Sequence, residues 1–433
     1  MKVQVSDDVA GQVLALQGGP KAVTDIAKQK ELFHWPIVTE EDEQAVLEVL
    51  RAGTMSDDSI TKQFEAEYAR YNRRNFALSY PNGTLALQVA MWAAGLREGD
   101  EMICPSVTYW ASAMPAITLG ASVVFADCEA DSLCIDPDDI ERHIGPRTKV
   151  ILVVHYCGHP VDMDRIQPIA DKHGLTVIED VSHAHGTLYQ GRMTGTFGRV
   201  AAMSMMAAKS FPIGEGGMLI SDDPDIIQNA LAFAHYRRHD KLTRADLKPF
   251  AEIPLGGIKG RLNQTCAAMG RVQLKYYPQR ITAIQDGINR FWDLLEGEPG
   301  LRSHRPDPEF GSTMGGWYSP LGHYVPEELG GLPVEKFAAA VQAEGSVSSP
   351  GCNSPLHLHP VFNDAVIYQH DGQPTCIAHS DRDVRQGPGS LPVSEQVMQR
   401  TLHIPYFKHD WPEQVAQHAA AYRKVARQAE KLL

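Results

Sequence analysis

One lysine stands out because of the residues around it. Lys209 follows an apolar run that ends in Ala207 and Ala208, and a glycine-rich loop at residues 214–217 comes next. Glycine lets a backbone approach a ligand closely, and such loops often carry function. An ordinary lysine has a pKa of about 10.4, so a nucleophilic lysine needs a lowered pKa or must be held as an imine. The alternative is a lysine that caps a strand beside a flexible loop, and this segment alone leaves both interpretations open.

A second segment supplies an acid and an imidazole. Residues 176–178 are β-branched and predict a strand that delivers Asp180 to its carboxyl end, where open α/β sheets bind ligands. A carboxylate there can keep a pyridine nitrogen protonated, which makes the ring of pyridoxal 5′-phosphate (PLP) an electron sink. His183 follows and can hydrogen-bond the phenolic oxygen of that ring. Taken singly, an acid at a strand end is often a helix cap, and a loop histidine is more often a polar group with its bonds satisfied.

Two further segments offer contacts for a flat, phosphorylated ligand. Residues 80–84 open an apolar helix with Gly83 and Thr84 in its first turn, where backbone N–H groups and the helix dipole favour an anion such as phosphate. The alternative is a helix cap and nothing more. Tyr109 and Trp110 follow a predicted strand, and one ring can stack on a cofactor, although core packing is the commoner use of an aromatic pair.

The order of these segments resembles the DegT/DnrJ/EryC1/StrS family, the sugar aminotransferases of PLP fold type I. Ser204, five residues before Lys209, and the Gly-Glu-Gly-Gly loop belong to the resemblance, which runs from about Trp35 to the C-terminus. It implies that Lys209 forms the internal aldimine, that Asp180 pairs with the pyridinium, and that His183 lies beside the ring. It assigns the remaining ring and phosphate contacts to Tyr109, Gly83, Thr84 and Ser204.

The resemblance also implies a homodimer with shared active sites. Relatives commonly bind the phosphate with an Asn-x-Arg segment of the partner subunit, whereas this chain has Lys259-Gly260-Arg261. A cation there can serve the same anion, so Lys259 and Arg261 are predicted as cofactor contacts.

Two histidines, His357 and His359, are candidates for contact with the substrate. They lie in residues 354–360, which resemble the Pro-Leu-His segment near the substrate in the family. On a strand, residues i and i+2 share a face, so a metal pair is conceivable. No third or fourth ligand lies nearby in the sequence, and we predict no metal site.

The candidate residues need a sheet whose strand ends meet at one edge. Apolar runs alternate with amphipathic stretches over residues 83–221, which indicates an α/β domain with a mostly parallel sheet flanked by helices. The resemblance to PLP fold type I implies that this sheet is of the seven-stranded type. Two helices, over residues 264–277 and about 278–295, are predicted to close it. We divide the chain into a polar, irregular N-terminal arm (1–40), a large PLP-binding domain (41–295) and a smaller α+β domain (296–433).

Composition excludes some classes of function. A formal net charge of −13 over 433 residues opposes unspecific binding to nucleic acid or anionic membranes. The seven cysteines form no C-x-x-C pair, so neither a disulfide framework nor a zinc knuckle is indicated. The sequence shows no apolar run of membrane-spanning length and no signal-peptide pattern, and we predict a cytoplasmic protein.

Together these segments predict a PLP-dependent aminotransferase. By analogy with the family, it transfers an amino group from glutamate or glutamine to a keto-sugar or keto-cyclitol, in a ping-pong cycle through the Lys209 aldimine. One alternative is a non-catalytic or regulatory relative that binds PLP. Another is a PLP-dependent lyase or dehydratase, although the dehydratases of the family carry histidine at the lysine position.

Overall fold

The centre of the fold is a seven-stranded sheet made of apolar runs. The computed structural model describes residues 10–235, 238, 241–368 and 371–433. The strands in these residues are β1 (Phe76–Tyr80), β2 (Glu101–Pro105), β3 (Ser122–Ala126), β4 (Thr148–Val154), β5 (Thr176–Asp180), β6 (Leu188–Tyr189), β7 (Arg192–Met193), β8 (Val200–Ser204), β9 (Gly217–Ser221), β10 (Leu301–Ser303), β11 (Leu321–Tyr324), β12 (Ser349–Pro350) and β13 (Thr401–His403). The large sheet has the order β1-β9-β8-β5-β4-β2-β3. Only β9 runs against its neighbours, so the prediction of a mostly parallel sheet is confirmed.

Helices flank this sheet, because parallel strands need crossover connections. The helices in the described residues are α1 (Ile26–Leu32), α2 (Glu40–Ala52), α3 (Ser59–Tyr71), α4 (Gly83–Ala93), α5 (Met114–Thr118), α6 (Pro137–His143), α7 (Met163–His173), α8 (Pro224–Ala234), α9 (Gln264–Leu294), α10 (Val334–Ala343), α11 (Pro360–Asn363), α12 (Pro392–Arg400) and α13 (Pro412–Ala426). Every residue of β2, β3 and β9 is buried, as expected for strands that are covered on both faces. In the part of the chain that the structure describes, no helix is both long and apolar enough to cross a lipid bilayer.

Three neighbouring parallel strands, β4, β5 and β8, end at the same edge of the sheet. Near these ends, Val154 is paired with Asp180, and Asp180 with Ala202. The loops after β5 and β8 carry His183 and Lys209. Parallel register therefore brings together residues that are far apart in the sequence.

The prediction of two separate helices after residue 264 is wrong. α9 is one helix of 31 residues with Pro278 inside it. An internal proline removes a backbone hydrogen bond and costs about 3 kcal/mol. Burial outweighs this cost, because Ala267 packs in a core beside the large sheet and Phe291 packs in the core of the second domain.

A smaller antiparallel sheet, β10-β11-β13-β12, forms the second domain together with α10 and α13. The N-terminal arm belongs to the core of this domain, since Leu14 and Leu32 are buried in it. Lys424 of α13 holds the arm by donating to the carbonyl of Pro20 over 2.7 Å, and it forms a buried ion pair with Glu344 over 2.9 Å. The arm contains α1, so the expectation of an irregular arm is wrong.

Candidate active site

A cavity of about 470 Å³ lies at the carboxyl ends of β4, β5 and β8. The lining of this cavity includes seven of the site residues that the sequence predicted: Gly83, Thr84, Tyr109, Asp180, His183, Ser204 and Lys209. They come from four separate segments of the chain. The sheet therefore gathers the predicted amine, carboxylate, imidazole, aromatic ring and anion site in one place.

The Asp180 carboxylate is buried and is fixed at both oxygens. The Ser112 hydroxyl donates to Oδ2 over 2.8 Å, and the backbone N–H of Ser182 donates to Oδ1 over 3.0 Å. Ser112 is in turn 2.9 Å from the hydroxyl of Thr108. A carboxylate with so little freedom can keep a basic ring nitrogen protonated.

His183 is held in one tautomer. The backbone N–H of Cys157 donates to Nδ1 over 3.3 Å, so the neutral ring carries its proton on Nε2. Burial, followed by the charges of Lys209 and His185, holds the pKa of His183 well below the ordinary 6.5. Near pH 7 His183 is therefore neutral, with Nε2–H as its donor.

The N-terminus of α4 and the end of β8 form a tight cradle. The side chain of Asn82 accepts a backbone N–H of the first helical turn over 2.8 Å. A Cβ on Gly83 would lie 2.7 Å from Cα of Ser204, and one on Gly217 would lie 2.3 Å from the carbonyl oxygen of Asn82, so only glycine allows this approach. Orphan N–H groups of the helix and the hydroxyls of Thr84 and Ser204 suit a phosphate.

A buried histidine that the sequence analysis did not select, His185, fixes Ser204. Its Nε2 donates to the Ser204 carbonyl over 2.8 Å, and the Tyr68 hydroxyl lies 2.9 Å from its Nδ1. The Ser204 N–H donates to the Ser182 hydroxyl over 2.9 Å. The only signal in the sequence is its position two residues after His183.

Lys209 is buried, and the N-terminal arm fastens its turn. The indole N–H of Trp35 donates to the backbone carbonyl of Lys209 over 2.8 Å. Burial lowers the pKa of Lys209 to about 8, although Asp180 and Cys157 act in the opposite direction. At pH 7 about one-tenth of this amine is neutral, against roughly one part in 2,500 for an ordinary lysine. The site thus contains an amine that loses its proton more readily than an ordinary lysine does.

Two tyrosines border the cavity. Tyr109 is 49% exposed, and its ring centroid is 5.2 Å from that of Trp110, so it presents a ring to a flat ligand. Tyr318 lies over the amine of Lys209, with 4.0 Å between Nζ and the ring centroid. Tyr318 comes from the second domain, and nothing in the local sequence indicates its role.

The rest of the cavity has polar and apolar walls and one further acid, Glu215. The Tyr156 hydroxyl donates to the side-chain oxygen of Asn353 over 2.7 Å, and the Ser319 hydroxyl lies 3.3 Å from Nδ1 of His403. These residues come from both domains, with His403 at the end of β13 and the others outside the strands, and they were not predicted. Among the described residues that line the cavity, Lys209 is the only lysine or arginine.

The two candidate substrate histidines do not line this cavity. They lie at a short 3-10 helix, Leu356–Leu358, so the expectation of a strand with a shared face is wrong. His357 is fully buried, with Nδ1 2.7 Å from the Ser106 hydroxyl and Nε2 3.2 Å from Glu395. His359 is exposed and lines a neighbouring pocket beside Tyr109.

Lys259 and Arg261 also lie outside the cavity of their own chain. They precede α9, and Arg261 donates to the backbone carbonyl of Ser56 over 2.9 Å. Their contact with the cofactor of a partner subunit stays a prediction.

The sequence of this chain is similar to those of known aminotransferases. The sequence matches the DegT/DnrJ/EryC1/StrS aminotransferase family over residues 36–422. The chain belongs to this family. An L-glutamine:2-deoxy-scyllo-inosose aminotransferase of Streptomyces kanamyceticus is 33% identical to it over 344 residues, which are 76% of this chain and 79% of that protein. An L-glutamine:scyllo-inosose aminotransferase of Streptomyces griseus is 31% identical over 80% of this chain and 82% of that protein.

Solved structures of aminotransferases share the fold. The aminotransferase of Psychrobacter cryohalolentis superposes with a TM-score of 0.78 at 27% identity, covering 90% of this chain and 97% of its own. The predicted resemblance, the PLP fold type I and the prediction of an aminotransferase are confirmed.

The residues present fit a phosphorylated pyridine ring such as PLP. A fixed carboxylate at Asp180, an amine of lowered pKa at Lys209 and a glycine cradle at Gly83 line one cavity. In residues 10–235, 238, 241–368 and 371–433, no group of three or more His, Cys, Asp or Glu side chains could hold a metal ion.

Proposed function

We propose that this family member uses PLP attached to Lys209 to transfer an amino group from glutamine or glutamate to a keto-cyclitol or keto-sugar. The two half-reactions form a ping-pong cycle. The observation that supports this most directly is that Lys209 and Asp180 line the same cavity, because one small ring must meet both an amine and a carboxylate.

Each residue has a distinct task in this proposal. Bound PLP supplies an electron sink for the negative charge that develops on the reacting carbon. Asp180 keeps the ring nitrogen protonated, and His183 donates from Nε2 to the phenolic oxygen. The amine of Lys209 would move the proton between the reacting carbon of the substrate and that of the cofactor, because the side chain is tethered within reach of both.

The relatives and the cavity wall support the choice of substrates. Two relatives are named as aminotransferases that use L-glutamine with scyllo-inosose or its 2-deoxy form. In this chain, the hydroxyl of Tyr156, the amide of Asn353 and the imidazole of His403 border the cavity. Such groups both donate and accept hydrogen bonds, which suits a neutral ring with many hydroxyls.

The proposal includes a homodimer in which Lys259 and Arg261 bind the phosphate of the partner's cofactor. This role is consistent with two cations that stand at the position of the family's phosphate-binding segment and lie outside the cavity of their own chain. The cytoplasmic location also stays a prediction.

Covalent trapping tests the role of Lys209. Purified protein with PLP is expected to absorb in the visible range, and borohydride is expected to fix the cofactor to the peptide that contains Lys209. Lys209→Ala is expected to lose the adduct. Lys275→Ala is the matched control, since Lys275 is exposed and pairs with Glu41 over 2.8 Å. An adduct that persists in Lys209→Ala contradicts the proposal.

A substrate panel separates the proposal from its alternatives. Glutamine and glutamate are tested as donors with scyllo-inosose and keto-sugars as acceptors, and an aminated acceptor is the expected product. A regulatory relative would leave the cofactor unchanged with every donor. A lyase would release a keto product without aminating any acceptor. Either result would replace the proposed function.

A further inference from the structure

The amine of Lys209 rests against the face of an aromatic ring. Its Nζ is 4.0 Å from the ring centroid of Tyr318, within the range in which a cation is attracted to the ring. No side-chain or backbone acceptor within the described residues hydrogen-bonds this Nζ. The Tyr318 ring also packs on His183, with centroids 4.8 Å apart. Tyr318 therefore bridges the two groups that flank the reacting centre.

The backbone around Tyr318 is held in an uncommon conformation. Trp317 and Ser319 have φ angles of 47° and 56°, in the left-handed region that disfavours residues other than glycine. Such residues cost free energy that the surrounding structure must compensate. The Tyr406 hydroxyl donates to the carbonyl of Gly316 over 2.6 Å and clamps the segment. The ring thus has little freedom to leave the amine.

We propose that Tyr318 is a positioning residue whose ring face holds the protonated amine of Lys209 whenever that amine is not joined to the cofactor. This inference rests on the proposed function, in which Lys209 is released and must return to the same carbon atoms. The ring offers no strong hydrogen bond to the amine. It therefore stabilises the cation without tying the amine to one direction.

Because other groups also act on the pKa of Lys209, the contribution of the Tyr318 ring must be separated from theirs. The titratable groups that face it are Asp180, Cys157, His183, His185 and Tyr318. Burial lowers the pKa of Lys209, and the carboxylate of Asp180 acts against this effect. The two histidines are neutral near pH 7, because burial lowers the pKa of both. Removal of the ring takes away a contact that favours the protonated form, so the pKa of Lys209 must fall further.

The test is a titration of Lys209 in the full-length protein freed of cofactor. Competitive acylation over a pH series, followed by peptide mass spectrometry, gives the pKa of this amine. Tyr318→Phe keeps the ring and is expected to match the wild type. Tyr318→Leu is expected to lower the pKa by about half a unit to one unit. An unchanged or higher pKa in Tyr318→Leu overturns the proposal, and so does an equal fall in both variants.

A second series guards against a leucine variant that does not fold. Phenylalanine with a stepwise increase in ring fluorination at position 318 keeps the shape and weakens the attraction for a cation. The pKa of Lys209 is expected to fall with each fluorine, and a flat series overturns the proposal. The readout does not depend on catalysis. If the wild-type protein neither binds PLP nor transfers amino groups, the proposed function is wrong. The titration would still show whether the Tyr318 ring stabilises the protonated amine of Lys209.

Discussion

At the scale of residues, the proposed chemistry depends on the carboxylate of Asp180, whose orientation is fixed by hydrogen bonds. Ser112 and Ser182 each hold one oxygen of Asp180. An asparagine of the same shape can keep both contacts, because its Oδ1 can accept from the Ser182 N–H while its Nδ2 donates to the Ser112 hydroxyl, which can also accept. The substitution therefore isolates the charge from the geometry.

We expect Asp180→Asn to slow the half-reaction with the amino donor by about 10- to 1000-fold, because a nearby opposite charge shifts a pKa by about 1–3 units. The melting temperature should stay close to that of the wild type. Stopped-flow absorbance measures the rate, and Asp381→Asn, an acid with 69% of its side chain exposed, is the control. A variant that keeps at least half of the wild-type rate would disprove the role given to Asp180.

The residues that sequence analysis found are those that follow a strand or open a helix. Lys209, Asp180 and Gly83 each stand at such a boundary, where hydrophobic patterning and glycine are informative. Tyr318 and Ser112 were missed for a different reason. Their roles arise from left-handed backbone angles and from contacts between distant segments, and neither leaves a local pattern in the sequence.

At the scale of elements, one buried acid fastens the loop between β7 and β8 to the sheet. Glu179 in β5 is fully buried and accepts from the imidazole of His155 over 3.0 Å. It also accepts from the backbone N–H groups of Gly195, Phe197 and Gly198 over 2.6, 2.8 and 2.6 Å. Burial alone would raise the pKa of Glu179, but the bonds from His155 and from the backbone lower it below the ordinary 4.5.

We expect Glu179→Gln to lower the free energy of unfolding at pH 7 by about 1–3 kcal/mol, because an amide cannot satisfy four donors. The contribution of a carboxylate with a lowered pKa is complete above 4.5 and is lost as the pH falls through the folded-state pKa. The difference between wild type and variant should therefore shrink in acid. Urea unfolding at several pH values measures it, with the exposed Glu309 changed to glutamine as the control. A difference that grows below pH 4.5 would contradict this account.

The length of helix α9 could not be predicted from the residues around Pro278. A proline in a polar stretch is a sound reason to end a helix, and the two predicted helices follow from that reason. The structure continues through Pro278 because both ends of the helix are buried in hydrophobic cores. Long-range packing of this kind cannot be read from a local window of sequence.

At the scale of the whole molecule, the proposed site needs two chains. A chain with Lys209→Ala is co-expressed with a chain that carries both Lys259→Ala and Arg261→Ala, and each variant is expected to be inactive by itself. In a hybrid dimer one of the two sites is intact, so activity up to about one quarter of the wild type should return. Amino transfer by the purified mixture measures it. Activity no greater than the sum of the parents would place the two cations outside the partner's site.

The domain organisation was predictable only in part. The alternation of strands and helices correctly indicated a mostly parallel sheet flanked by helices. The arm was misjudged, because a few apolar residues such as Leu14 and Leu32 in a polar stretch give no periodic signal. Their burial depends on α10 and α13, which come at the far end of the sequence.

The unbroken course of α9 has a consequence for how the molecule denatures. At 1.5 Å per residue its 31 residues form a rod of about 46 Å. One end is anchored in the core beside the large sheet and the other in the core of the second domain. Neither half can melt without freeing a face of this shared rod, and so calorimetry should record a single cooperative transition.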